Sequence, residues 1–124
     1  MTSQLLFSVV DKEVVVTDLG SGAVVWVGRP LGRSVPEILQ IPDEARAIIL
    51  LDHTGTRPGQ RENLIAINQR GEILWLAKLP TSSGTDFFGE MELLDEGVSA
   101  FSWSCHRVLI DPKTGETMDD RFTK

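Results

Sequence analysis

The sequence predicts an all-β fold of antiparallel meanders, and three observations carry that reading. Short apolar segments recur along the chain with turn residues between them. Amphipathic stretches of helical period, about ten residues or longer, are missing. One strand-turn-strand pattern also returns three times, and such internal repetition is the signature of a stacked architecture.

Taken in order, the candidate strands are residues 5–10, 13–18, 23–28, 46–52, 62–68, 72–78, 88–94, 98–102, 106–111 and 116–118. Only 36–40 suits a single helical turn. Several strands are apolar on both faces: Ile48 and Leu50 point one way while Ile49 and Leu51 point the other, and Leu74 with Leu76 opposes Ile73 with Trp75. Strands of that kind belong inside layers. Glu90-Met91-Glu92-Leu93 alternates instead, with both glutamates on one side, as a half-exposed strand does.

The repeat is specific. Val14-Val15-Val16-Thr17-Asp18 leads through Leu19-Gly20-Ser21-Gly22 into Ala23-Val24-Val25-Trp26, and Leu64-Ile65-Ala66-Ile67-Asn68 leads through Gln69-Arg70-Gly71 into Glu72-Ile73-Leu74-Trp75. A third copy runs from Val108-Leu109-Ile110-Asp111 through Pro112-Lys113-Thr114-Gly115 into Glu116-Thr117-Met118-Asp119, with Asp119 in the tryptophan's place. Asp or Asn at the strand end accepts hydrogen bonds from turn amides, and glycine supplies the positive φ that closes a tight hairpin. Trp26 and Trp75 are therefore expected to be equivalent buried packing residues. The spacing of Gly22, Gly71 and Gly115 lies near the roughly 40–50-residue period of propeller blades.

This pattern resembles the repeat of quinoprotein-type (PQQ-like) β-propellers, with Ile110-Asp111-Pro112-Lys113-Thr114-Gly115-Glu116 the nearest local match and residues 64–75 the next. The resemblance implies about three blades, or an equivalent rolled sheet or sandwich, where a closed propeller has roughly four to eight. It implies the blade and not the cofactor. The quinone-dependent enzymes of that group carry an adjacent cysteine pair, which a chain with one cysteine cannot supply.

A chain of 124 residues suits one β domain, 1–124, with units at about 5–31, 46–80 and 87–120. No apolar run reaches the roughly 18 residues of a membrane span, and the start Met1-Thr2-Ser3-Gln4 lacks the segments of a signal peptide. A cytoplasmic protein with no membrane partner is expected. Cys105 cannot form an internal disulfide. The net charge of −6 argues against nucleic acid, whose phosphates need clustered Lys and Arg. Residues 84–124 hold 9 acidic and 4 basic side chains, against 9 and 8 in residues 1–83. Either a solvated acidic face or a docking face for a basic partner follows.

No catalytic set, metal site or cofactor site is legible. His53, Cys105 and His106 supply ligand atom types without a ligand spacing, and no Gly-x-Ser-x-Gly elbow is present. Gly55-Thr56-Arg57-Pro58-Gly59 lacks the ending of a phosphate loop. The candidate binding residues are Trp103, His106, Arg57 and Arg61. Trp103, between Ser102 and Ser104 at a hairpin tip, reads either as an exposed anchor or as a substitute for the missing third tryptophan. The expected function is a non-enzymatic protein-interaction module, such as a small bacterial accessory or immunity-like protein. A small-ligand-binding domain is the alternative, followed by a minor hydrolase using His106. Three blades leave open edges, and strand 5–10 carries no charge before Asp11, so a homodimer with joined edges or a ring-like sheet is expected. A monomer in which 119–122 closes onto the first strand is the competing outcome.

Overall fold

The computed structural model of the protein describes residues 4–41, 44–54 and 62–123. Among these are eleven strands and a 3-10 turn at Pro30–Gly32, and no α-helix. β1 (Leu5–Val10), β2 (Glu13–Asp18) and β3 (Val24–Gly28) form the first antiparallel sheet. β4 (Glu37–Gln40), β5 (Arg46–Leu50), β6 (Leu64–Asn68) and β7 (Ile73–Leu76) form the second. β8 (Phe88–Leu94), β9 (Gly97–Ser102), β10 (His106–Ile110) and β11 (Thr117–Phe122) form the third. Each strand pairs with its neighbour in sequence, so each sheet is a meander.

The second sheet lies between the other two. Its residues Ile48, Leu50, Leu64, Ala66 and Trp75 join Phe88, Val98, Ala100, Val108 and Ile110 in one core. From its other face Ala47, Ile49, Leu51, Ile65 and Ile67 meet Phe7, Val14 and Val16 in a second core. The double-faced apolar pattern of residues 46–51 thus has its physical cause: one strand fills two interfaces. β8 alternates as expected, with Glu90 and Glu92 exposed and Met91 and Leu93 packed inwards.

The repeat is a structural device. Asp18, Asn68 and Asp111 each accept, on the side chain, a backbone N–H from the turn that follows. Gly22, Gly71 and Gly115 close those turns at φ +74°, +76° and +77°, a region that favours glycine. Each hairpin also carries a register shift at the same place, after Val16, Ala66 and Leu109. The tryptophans bridge successive sheets. A Cβ built on Gly71 would lie 2.2 Å from the Trp26 ring, and one on Gly115 would lie 2.6 Å from the Trp75 ring. Trp75 is buried and its indole N–H donates to the Pro112 carbonyl at 2.9 Å, whereas Trp26 is half-buried.

Several expectations are corrected. Residues 37–40 are a strand, because four residues after a proline cannot offset helix nucleation, whereas pairing with β5 lets Ile38 and Leu39 pack into the two different cores. The second unit therefore begins at Glu37. In β7 only Trp75 is buried; Ile73, Leu74 and Leu76 are exposed, since β7 is an edge strand and of its side chains only the Trp75 ring packs into the core shared with the third sheet. Residues 119–122 extend β11 against β10 and do not close onto β1. The β1 edge is not open along its length either, because the Gln40 side chain accepts from the Phe7 N–H at 3.0 Å and donates to the Leu5 carbonyl.

Candidate functional site

The hairpin joining β9 to β10 projects Trp103, which is 67% exposed. Cys105 takes φ +66° there, closing the turn with its N–H on the Ser102 carbonyl at 3.0 Å. The Trp103 N–H donates to the Phe87 carbonyl at 2.8 Å. Three rings then lie nearly parallel: His53 and Phe87 have centroids 3.5 Å apart at 2°, and Phe87 and Trp103 5.6 Å apart at 14°. Parallel stacked rings hold a common plane through dispersion contacts.

A buried carboxylate fixes this stack. Asp86 is 1% exposed. Its Oδ1 accepts from the Phe87 and Ser104 amides, and its Oδ2 accepts from the Thr81 and Ser104 hydroxyls. Asp86 thereby ties the Ser, Thr and Gly-rich loop 81–86 to the residue after Trp103. Asn63, fully buried, donates to the carbonyls of Leu51 and Phe88 and accepts the Phe88 N–H, joining the second sheet to the third just below the stack. All of these polar groups are satisfied, which is the condition for tolerating them inside.

A groove of about 390 Å³ opens beside the rings, lined by Lys12, Ser34, Glu37, Asp52, His53 and Phe87 among others. Lys12 is held there by a two-residue hairpin in which Asp11 and Lys12 both have positive φ, the geometry of a type I′ turn. The Thr54 amide and hydroxyl hold the Asp52 carboxyl below the usual carboxylate range, with His53 and Lys12 adding to that effect. Asp52 therefore stays charged in mildly acidic solution. The guanidinium of Arg33 donates to the Asp52 and Glu62 carbonyls, and its partial burial lowers its pKa against the pull of both carboxylates.

Of the residues singled out in the sequence, Trp103 is in the stack and His106 lies on the same hairpin but outside it. The His106 Nδ1 is 2.6 Å from Asp120 Oδ1, and its ring meets Phe122 edge-on. The Ser102 hydroxyl accepts the His106 backbone N–H, not a ring proton. Arg57 and Arg61 lie outside the described residues. Among the described residues no group of three or more His, Cys, Asp and Glu could hold a metal ion. Sequence reasoning missed Phe87, Asp86 and Asn63. The Asp86-Phe87-Phe88 run after a Ser, Thr and Gly-rich loop was the available signal, since a lone acidic residue before two aromatics has to be satisfied by something nearby.

No curated protein sequence matches the chain. Among solved structures, BamB from Moraxella catarrhalis superposes with a TM-score of 0.59 at 15% identity, covering 100% of this chain and 38% of that one. A protein of unknown function from Bacteroides caccae gives 0.60 at 14% identity, covering 96% and 40%. This chain spans about two fifths of the length of each, and at such identity the likeness is one of fold. The model of the family described as Domain of unknown function (DUF7957) matches residues 30–122, well over half the chain and all of the second and third sheets, and the chain belongs to that family.

Proposed function

We propose that this protein is a non-enzymatic interaction module that binds a protein partner through Trp103, and that it also associates with itself. One observation carries the first part: a tryptophan 67% exposed to water stands on a hairpin that a buried carboxylate holds rigid. A large aromatic presented without conformational freedom is the form of an interface hot spot, because little side-chain entropy remains to be lost on binding. The Phe87 ring supports one side of the indole and leaves the other for a partner's flat or apolar group.

The test is copurification from the native cell with wild-type protein and with Trp103→Ala, read by quantitative mass spectrometry. The variant should keep the wild-type melting temperature and lose the captured protein, with affinity falling by at least about 30-fold if the indole is a hot spot. Equal capture by both proteins removes Trp103 from the interface.

The groove favours a second reading. Its size falls within the roughly 300–1,000 Å³ of small-ligand sites, and Lys12 and Asp52 offer one charge of each sign at its wall. A small-molecule panel that raises the melting temperature of wild type, and of Lys12→Ala much less, supports ligand binding there. Asp120 on His106 Nδ1 is the arrangement that orients a histidine base. The hydrolase reading nevertheless gains no nucleophile from the geometry, because the Ser102 hydroxyl bonds the Ser104 hydroxyl and the His106 backbone N–H and not the ring.

A further inference from the structure

The first sheet buries one face on the second sheet and leaves the other uncovered. Phe7, Val14, Val16 and Trp26 face inwards. The strand register then places Leu6, Val10, Val15 and Val27 on the outer face, with Val24 opposite Thr17 and Val25 unpaired at the register shift. Leu6, Val10, Val25 and Val27 are 43%, 54%, 45% and 50% exposed. Charge enters this face only at its last row, where Glu13 beside Val10 pairs with Arg29 at 3.9 Å.

The turn beside this face is uncovered as well. Gly71 and Gly115 each carry a tryptophan from the preceding sheet, but nothing lies within 4 Å of a Cβ built on Gly22, although its turn is otherwise the same. The packing mode used twice inside the chain is unfilled here. The opposite end of the stack cannot fill it. The register puts Glu90, Glu92, Arg107, Asp119 and Arg121 on the outer face of the third sheet. There Arg107 pairs with Glu90 at 3.3 Å and Arg121 with Asp119 at 2.8 Å. A head-to-tail stack would press these charges onto valines, and burying charge against apolar surface is costly. Terminal units with a polar outer face are how repeat arrays end.

We propose that the outer face of the first sheet is a self-association surface on which two copies pack sheet on sheet about a two-fold axis. A second copy is the occupant the charges favour: the same face matches itself, carries charge only in the mutually paired Glu13 and Arg29 of its last row, and so has no unpaired charge to select a charged partner. The contact is face to face and not edge to edge, because Gln40 already occupies part of the β1 edge. Three strands of about six residues make a face of roughly 18 by 14 Å, about 250 Å² on each copy, well below the roughly 800 Å² per partner of a standard stable interface and in the range of weak, transient contacts. The dimer is therefore concentration-dependent. This inference rests on the self-association part of the proposed function and not on Trp103.

Light scattering coupled to size exclusion, from low micromolar to submillimolar protein, tests it with wild type, Val25→Lys/Val27→Lys and Trp103→Ala. Wild type should shift from monomeric to dimeric mass, Trp103→Ala should shift with it, and the double lysine variant should stay monomeric with an unchanged melting temperature. If that variant fails to fold, Thr17→Asp, which charges an already polar position on the same face, takes its place. A monomeric wild type at every concentration overturns the proposal, as does a dimer that persists in the charged variant or a mass that grows past the dimer. Loss of the dimer in Trp103→Ala alone places self-association at the aromatic stack and also overturns it.

Discussion

Trp26 and Trp75 hold successive sheets together by the same move with unequal means. Both lay their rings over the turn glycine of the next unit, but Trp75 is buried and bonded through its indole N–H, while Trp26 remains half in solvent. Truncating a buried tryptophan costs about 3–5 kcal/mol. Trp75→Ala should therefore fall near the upper end of that range, and Trp26→Ala at or below its lower end. Urea unfolding measures both, and a Trp26→Ala cost equal to or above that of Trp75→Ala would contradict the ranking. The equivalence of the two residues was legible in their four-residue spacing from glycine, but their burial was not, because it depends on what covers each strand. The same limit hid Asp86 and Asn63. Their partners lie far along the chain, Asp86 reaching Ser104 and Asn63 reaching Phe88, and contacts of that kind leave no periodic trace in a sequence.

The hairpin is the element that could be read best, because turn chemistry is local. An Asp or Asn, a short polar run, a glycine and a returning apolar strand defined all three, and the structure adds a register shift common to all three. The glycines nevertheless differ in what surrounds them. At Gly22 an alanine would meet only the positive-φ penalty, about 1–2 kcal/mol, since nothing lies within 4 Å. At Gly71 and Gly115 the added methyl would also strike an indole, and overpacking adds about 1–3 kcal/mol. Gly71→Ala and Gly115→Ala should thus lower the urea midpoint clearly more than Gly22→Ala. Equal losses at all three would mean that the rings move aside freely. β4 was the illegible element. Four residues carry too little pattern to separate a helical turn from an edge strand, and only the partner strand β5 decides the matter.

At the scale of the molecule, three sheets share two cores, and the sharing is unequal. The second sheet is covered on both faces, with Ile48, Ile49, Ile65 and Ile67 wholly buried. The first has three strands, one covered face and one core. Stacked units of this kind open from their ends, because each end unit loses one interface where the middle unit must lose two. Native-state hydrogen exchange should then find the slowest amides in β5 and β6, and an opening of smaller free energy that releases β1 to β3 while the other two sheets stay closed. The tryptophans allow the interfaces to be loosened one at a time. Trp26→Ala, which cuts the contact between the first two sheets, should speed exchange in β1 to β3 and leave β8 to β10 as they were, whereas Trp75→Ala should speed β8 to β10 and lower the global limit. The measurement belongs at low micromolar concentration, where the proposed dimer is dissociated and cannot protect the first sheet. If every amide in the three sheets exchanged with one free energy, and both variants lowered it uniformly, the protein would unfold as one unit and the two cores would be energetically a single one.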